Sequence, residues 1–396
     1  MNVYAERWQP RSSRYPFTFY RDWGIRAFIA VNFPIDDSLV AEGQHHNELF
    51  AYYPDFSEGR TKYPGDTRAA LAPLLAHKAL AGQYKWILYG DDDTIWFLSG
   101  VVELLQNLDP TMPYIVTDAA YWHHWSGPAH ERFEVDGPPQ CLPCNFNASR
   151  WEQMPGAMFT PPIGCPCQPQ LLCAADQRHI IDPACEFPPH NDPVYSIDGG
   201  AGALVSHGLL EKLDAPKMMD CVLAEKGTAG DHLFSNCMWQ AGFAMTAPVF
   251  DQMPATVHGT KRLFNPGVFD EEVHDGSRTD IITHLLWAIE RDDEGCDEAC
   301  RTHLTQLVSL HLRSRIMPNK ASAGLLIKSI SELHDAFLVS MGKADAARPL
   351  PATGTFKAAF KALQTGKLGR FWENMTPRKV TAYLRAPKAI GARRLL

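Results

Sequence analysis

Over the first 118 positions, apolar residues fall into short blocks whose spacing separates strands from helices. The runs 26–33 (RAFIAVNF) and 49–53 (LFAYY) are β-branched and aromatic, which predicts buried strands with a polar loop between them. Gly65-Asp66-Thr67 then opens an Ala/Leu-rich stretch, Arg68 to Ala81, whose apolar residues recur at helical spacing. Asp66 or Thr67 suits the N-cap, and Gly82 marks the stop. Lys85-Trp-Ile-Leu-Tyr89 is a short apolar strand that runs directly into Gly90-Asp91-Asp92-Asp93-Thr94. A helix over about 97–107 and a strand over 114–117 follow. Strands alternating with helices of this length predict an α/β fold with a mostly parallel central sheet flanked by helices, whose ligands bind beyond the carboxyl ends of the strands. The acidic triplet sits at such an end.

Periodicity is lost from about 119 to 193, where Pro, Cys, His and Trp dominate in runs such as PPQCLPC and PPIGCPC. This stretch is expected to be an irregular insertion. Order returns at Tyr195-Ser-Ile-Asp-Gly-Gly-Ala-Gly-Ala-Leu-Val-Ser-His207, which leads into a helix from Gly208 to Leu213. A further helix is expected over Ala229 to Gln240, and 278–316 is expected to form two helices around the acidic turn Arg291 to Glu298. The second of these would carry His311.

The composition, 45% hydrophobic with 11% aromatic residues over 396 positions, is that of a globular chain of one large or two ordinary domains. Charge changes the picture at the end. Residues 341–396 hold twelve Lys or Arg against Asp345 and Glu373, so this tail is about +10 and the remainder about −18 within a total of −8. An acidic body argues against a nucleic-acid partner, whereas the basic tail suits contact with phosphates or an anionic membrane surface. The organisation expected is a main domain over 1–318 and a basic, helical or partly disordered extension over 319–396.

Six of the ten cysteines lie between Cys141 and Cys185. In an oxidising compartment such crowding predicts a disulfide-stapled loop; a structural zinc on four of those thiolates is the alternative. Cys296 and Cys300 stand at i,i+4 spacing, which strains a bridge inside a regular helix, so pairing elsewhere or a nonhelical turn is expected. The sequons Asn147-Ala-Ser and Asn374-Met-Thr fit the secretory pathway. The start, MNVYAERWQPRSS, has no apolar leader region, so either the protein is not secretory or its N-terminus is incomplete.

Three consecutive aspartates after a buried strand would repel one another, and a cation is the natural remedy. Hard oxygen ligands suit Mn²⁺ or Mg²⁺, which completes its shell from water and substrate phosphates. A solvated turn or helix cap is the ordinary alternative, but the apolar strand before the triplet and the apolar, aromatic helix start expected at IWFL behind it favour the metal. On this reading Asp93→Asn should cost little stability, because it relieves repulsion.

The segment KWILYGDDDTIWFLSGVVELLQNLDPTMPYIV resembles the metal-binding segment of fringe-like β-1,3-glycosyltransferases (glycosyltransferase family 31), in particular the plant, algal and fungal branch. YSIDGGAGALVSHGLLEKL is similar to the family's Gly-Gly-Ala-Gly segment, AGDHLFSNCMWQAGFAM to its acidic helix start, and Leu307-Val-Ser-Leu-His311 to its Val-Ser-Leu-His. Together these cover about 60–315 in the family's order. The resemblance implies a GT-A-like nucleotide-sugar-binding fold and an inverting, Mn²⁺- or Mg²⁺-dependent transfer of sugar from a UDP-sugar donor to a hydroxyl of a glycan or glycoprotein acceptor, in the Golgi or ER lumen. By motif, Asp93 and His311 become metal ligands, Asp91 and Asp92 contact the donor, and Gly199, Gly200 and Gly202 let backbone approach it. Asp231 becomes the general base; as a residue in a first helical turn it could instead be an N-cap. His258 and His274 are other candidates for the metal.

Two departures from the family bear on turnover. Where it has a pair of acids, this chain has Gly230-Asp231, and almost nothing precedes residues 6–24, whereas the family's first strand and its donor-base contacts normally precede the segment that corresponds to them. A catalytically impaired nucleotide-sugar or glycan-binding protein is therefore the second hypothesis, and a zinc-organised interaction module centred on 141–185 the third.

Overall fold

The computed structural model describes residues 25–54, 65–80, 82–91, 93–123, 140–146, 163–168, 194–225, 229–249, 263–265, 281–290, 293–311, 330–331 and 333–342. Asp92, Cys173, Cys185, Asn147, Asn374, His258, His274, most of the 119–193 insertion and the tail beyond 342 lie outside them. The described residues divide into two units, one between 25 and 265 with 306–311, the other at 281–305 and 330–342.

The first unit opens with β1 (Ala27–Val31) and β2 (Glu48–Tyr52), paired in parallel from Ala27 opposite Glu48 to Val31 opposite Tyr52. The polar stretch between them is a helix, α1 (Asp37–His46), rather than the loop expected from its composition. Local capping explains it: Asp36 Oδ1 accepts the Leu39 N–H at 2.8 Å, and Asn47 ends the helix in the left-handed conformation at φ 56°. Because α1 is largely exposed, it carries almost no apolar stripe for periodicity to detect.

Helix α2 (Asp66–Leu80) begins where the sequence signalled and buries Ala69, Ala70, Leu71, Ala72, Leu74 and Ala76. Pro73 interrupts its ladder. Lacking an N–H, Pro73 leaves the Ala69 carbonyl without its helical donor, and the Tyr89 hydroxyl bonds that oxygen at 3.3 Å. Tyr89 ends β3 (Trp86–Tyr89), so a helix defect fixes the strand end from which the acidic loop departs.

The described strands form small mixed sheets, an α/β mixture in which the expected parallel pairing occurs at β1–β2 and at β9 (Phe264–Asn265) with β10 (Ser309–His311). The remaining pairs are antiparallel. In order β3–β8–β5, the strand β8 (Ala203–Ser206) runs against both β3 and β5 (Ile115–Val116), and β4 (Thr94–Trp96) runs against β10. β7 (Val194–Ile197) leads through the Asp198–Gly202 turn into β8, the Asp198 N–H bonding the Ala119 carbonyl at 2.8 Å, so that 194–206 lies antiparallel to 115–123 on both sides of the turn. β6 (Ala120–His123) pairs antiparallel with β7.

Helix α3 (Leu98–Leu105) follows β4, and α4 (His207–Lys212), α5 (Ala215–Ala224) and α6 (Gly230–Gln240) follow β8. The core joins Phe28, Leu71, Ile87, Ile115, Ile197 and Val205 to Leu233, Phe234 and Met238 of α6. Gly230 lets α6 meet α2: a Cβ there would stand 2.6 Å from the Ala69 Cβ and 2.8 Å from the Asp66 carbonyl oxygen.

Four disulfides lie among the described residues: Cys141–Cys167, Cys144–Cys165, Cys221–Cys237 and Cys296–Cys300. The first two use thiols that a zinc site would have needed. Cys221–Cys237 ties α5 to α6. In the second unit, α7 (Ile281–Glu290) and α8 (Glu298–Gln306) flank the acidic turn as expected. Cys296 lies before α8, with Asp297 Oδ1 accepting the Cys300 N–H at 2.8 Å, so this bridge closes across the helix entry. The predicted helix stops at Gln306, and Ser309–His311 is strand instead. His334, in the helical stretch 333–340, is buried with Nε2 2.9 Å from the Leu304 carbonyl oxygen. Burial, opposed only by that hydrogen bond, lowers its pKa to about 4.

Candidate metal centre

Three backbone-directed bonds hold the acidic loop, and two of them tie it to the glycine-rich turn. Asp91 N–H donates to the Gly199 carbonyl at 3.0 Å, and Thr94 N–H to the Asp91 carbonyl at 3.2 Å. Thr94 Oγ1 donates to the Gly200 carbonyl at 2.8 Å. Thr94 also starts β4, whose register with β10 sets Thr94 opposite His311. Antiparallel pairing of two three-residue strands therefore delivers a distant histidine to the residue next to Asp93. Asp91, Asp93 and His311 each offer a ligand atom, and these atoms all lie within 4.8 Å of one another. His311 Nε2 is 3.4 Å from Asp93 Oδ1, both side chains being almost wholly buried.

A third acid joins them. Asp198 Oδ1 lies 3.7 Å from His311 Nδ1 and also accepts the Ala201 N–H at 3.0 Å. Asp198 was not among the residues singled out in the sequence, although its place between the apolar strand and the Gly-Gly pair repeats the pattern of the Asp91 loop. Burial would lower the His311 pKa, but the hydrogen bond and charge of Asp93, then the charges of Asp198 and Asp91, outweigh it and lift the value to about 9. Without a cation the imidazolium form balances the three neighbouring carboxylates; a bound divalent ion would take over that charge and displace the ring proton, freeing a nitrogen lone pair to ligate it.

The turn has room for this only because Gly199, Gly200 and Gly202 lack side chains. A Cβ on Gly200 would coincide with the His311 imidazole, and one on Gly199 would stand 2.9 Å from Asp231 Oδ2. Gly202 adopts φ +82° with its Cβ direction against the Tyr89 carbonyl oxygen and the Trp96 ring. The Asp198 carbonyl accepts the Gly202 N–H at 2.7 Å and closes the turn.

Asp231 belongs to the same constellation. Its Oδ2 accepts the Gly199 N–H at 2.9 Å, while Ala229 is the N-cap residue of α6 and makes no side-chain cap bond. The carboxylate therefore faces the glycine turn rather than serving as the cap, and it remains partly exposed. Burial first, then the charges of Asp231, Asp91 and Asp66, raises the Tyr89 pKa well above its ordinary value. The structure thus brings together Asp91, Asp93, Gly199, Gly200, Gly202, Asp231 and His311, with Asp92 outside the described residues.

The donor set fits a divalent ion. Two carboxylates and one imidazole in a largely buried cluster match the mixed oxygen and nitrogen preference of Mn²⁺ better than an all-protein Ca²⁺ cage, and leave positions open for substrate oxygens. No protein-family model and no curated protein matches this chain.

Proposed function

We propose that the chain is an inverting, metal-dependent glycosyltransferase that moves a hexose or N-acetylhexosamine from a UDP-sugar to a hydroxyl of a glycan or glycoprotein, with the β-1,3 linkage that its fringe-like, GT-A-like motifs imply. The observation that carries this reading is the convergence of Asp91, Asp93 and His311 beside a glycine-rich turn to which Asp231 is bonded. A divalent ion held by Asp93 and His311 would neutralise charge on the departing nucleoside diphosphate.

The chain's own residues do the rest. Asp91 and the Gly199–Gly202 backbone would border the donor, the space a side chain would fill at Gly199, Gly200 and Gly202 being taken by Asp231, His311 and Trp96, which the glycines thereby admit to the site. Asp231 is the general base: Gly199 N–H fixes one oxygen at 2.9 Å, which aims the carboxylate across the turn to take the acceptor proton as the hydroxyl attacks the anomeric carbon. Four disulfides and the absence, among the described residues, of a helix long and apolar enough to cross a membrane fit a secreted or lumenal protein. The Golgi or ER lumen is the proposed compartment.

Gly230 favours a second reading, a nucleotide-sugar or glycan-binding protein without turnover. The position where the family has its other acid has no space for a side chain against Ala69 and Asp66. Release of UDP from a panel of UDP-sugars with Mn²⁺ and mixed glycan acceptors separates the two. Acceptor-dependent release supports the transferase, and donor binding without release supports the binding protein.

A further inference from the structure

Among the described residues a second convergence of ligand atoms stands apart from the acidic loop. We propose that His77, His207 and Glu211 form a metal site for a zinc-class ion, at the other end of the β3–β8 pair. Their ligand atoms lie within 4.8 Å of one another. In the register of β3 and β8, Tyr89 faces Ala203 and Trp86 faces Ser206. The acidic loop follows Tyr89, whereas His207 follows Ser206 and Tyr84 precedes β3, so four strand residues, roughly 13 Å, separate the two places.

Local structure presets the three ligands. His207 and Glu211 stand at i and i+4 on α4 and so share one face. Ser206 caps that helix by accepting the Leu209 N–H at 3.1 Å, and the His207 N–H donates to the Lys85 carbonyl at 2.9 Å, which fixes the start of α4 to the start of β3. His77 comes from the last turn of α2. The two imidazole Nε2 atoms lie 3.5 Å (His77) and 3.3 Å (His207) from the same oxygen, Glu211 Oε1. A tetrahedral ion with bonds of about 2.0–2.2 Å separates its ligand atoms by roughly 3.3–3.6 Å, so both distances are those of a coordination polyhedron.

Two further features belong to a metal site rather than to a surface ion pair. His207 Nε2 is buried and makes no hydrogen bond, its geometry toward Glu211 being unsuited to one. His77 Nδ1 is 2.6 Å from the Tyr84 hydroxyl oxygen. With Nδ1–H donating to that oxygen, the Nε2 lone pair is the one left to face Glu211, as outer-shell partners of metal-bound histidines arrange it. The Tyr84 and His207 rings, 5.3 Å apart, and the His77 and His207 rings, 5.4 Å apart, pack edgewise and hold the imidazoles in place. Glu211 is 57% exposed, which leaves an entry path and a coordination position for water. Two imidazoles and one carboxylate select zinc over Mn²⁺ or Mg²⁺, the reverse of the acidic loop's preference. The bound ion would cross-link the end of α2 to the start of α4 and brace the base of the sheet.

The test is titration of the full chain carrying Asp93→Asn, which disables the acidic loop, with Zn²⁺ by calorimetry and with Co²⁺ by visible absorption. One ion per chain, with the absorption bands of tetrahedral cobalt and no competition from millimolar Mn²⁺, is expected. Adding Glu211→Gln, an exposed change that does not threaten folding, should weaken binding at least about 10-fold, and adding His207→Ala should weaken it further. Zinc uptake unaltered by Glu211→Gln, or no uptake at micromolar zinc, would overturn the proposal. Either result leaves the transferase reading untouched, because UDP release depends on the acidic loop.

Discussion

Gly200 has no side chain because the His311 imidazole occupies the space one would fill, and that contact links sequence to chemistry at the smallest scale. Gly200→Ala is expected to displace His311 from Asp93 and to cost about 2 kcal/mol through overpacking; a chemical denaturation curve with unchanged midpoint would contradict it. Asp93 itself reverses an expectation drawn from composition. Three adjacent acids suggested that Asp93→Asn would relieve repulsion, but the side chain is 5% exposed and paired with His311 at 3.4 Å. Its loss leaves a buried imidazole short of its main partner. The pH dependence follows from the same pair. The folded pKa of His311, about 9, stands above its ordinary 6.5. In chelator-treated protein its stabilising contribution is therefore complete below pH 6.5 and is lost as pH rises through 9. Melting temperatures measured from pH 6 to 9.5 should fall over that window, and Asp93→Asn should flatten the slope. For Asp231→Asn, an amide cannot take a proton, so turnover should fall by roughly 10²–10⁴ with donor affinity unchanged. Donor affinity falling in step with rate would assign Asp231 to structure instead.

At the scale of elements, legibility depended on whether an element's own residues carried the signal. Helices α2 and α6 and strand β3 were readable because each pairs a buried apolar pattern with a start or stop residue: Gly82 after α2, Asp91 after β3. Helix α1 was not, since it is made by the Asp36 and Asn47 caps on an exposed, polar segment. Strand β10 was assigned to a helix because Leu307-Val-Ser-Leu-His311 is too short to establish a period, and its conformation is decided by pairing with β4. His311 was nevertheless found by motif, and register explains why the motif works. Asp198 was missed because one acid before two glycines looks like a turn; only the fold sets it beside His311. Disulfide connectivity was likewise invisible, being fixed by which loops and helices meet. Helix α6 joins Asp231 to the core, so Phe234→Ala should cost about 3–5 kcal/mol and lower activity by loosening the base; an unfolding midpoint within error of the parent would contradict that packing.

For the whole molecule, the two units carry different vulnerabilities. The acidic loop, glycine turn, Asp231 and His311 all belong to the first. His334 belongs to the second, and its folded pKa of about 4 lies below the ordinary 6.5. Stability from its neutral, buried state is complete above pH 6.5 and is lost as pH falls through 4, amounting to about 3 kcal/mol at the acid end. Replacing His334 by Gln should reduce that acid sensitivity in a pH series of denaturation curves. The central claim, that the strand-end carboxylates and His311 hold a divalent ion for a nucleotide-diphosphate donor, is met most directly by Mn²⁺ binding with and without UDP, followed by electron paramagnetic resonance on the full chain. The account predicts one ion per chain whose affinity rises with UDP, falls at least about 10-fold in Asp93→Asn and is unchanged in Glu211→Gln. Mn²⁺ binding of equal strength in Asp93→Asn and the parent chain would contradict it.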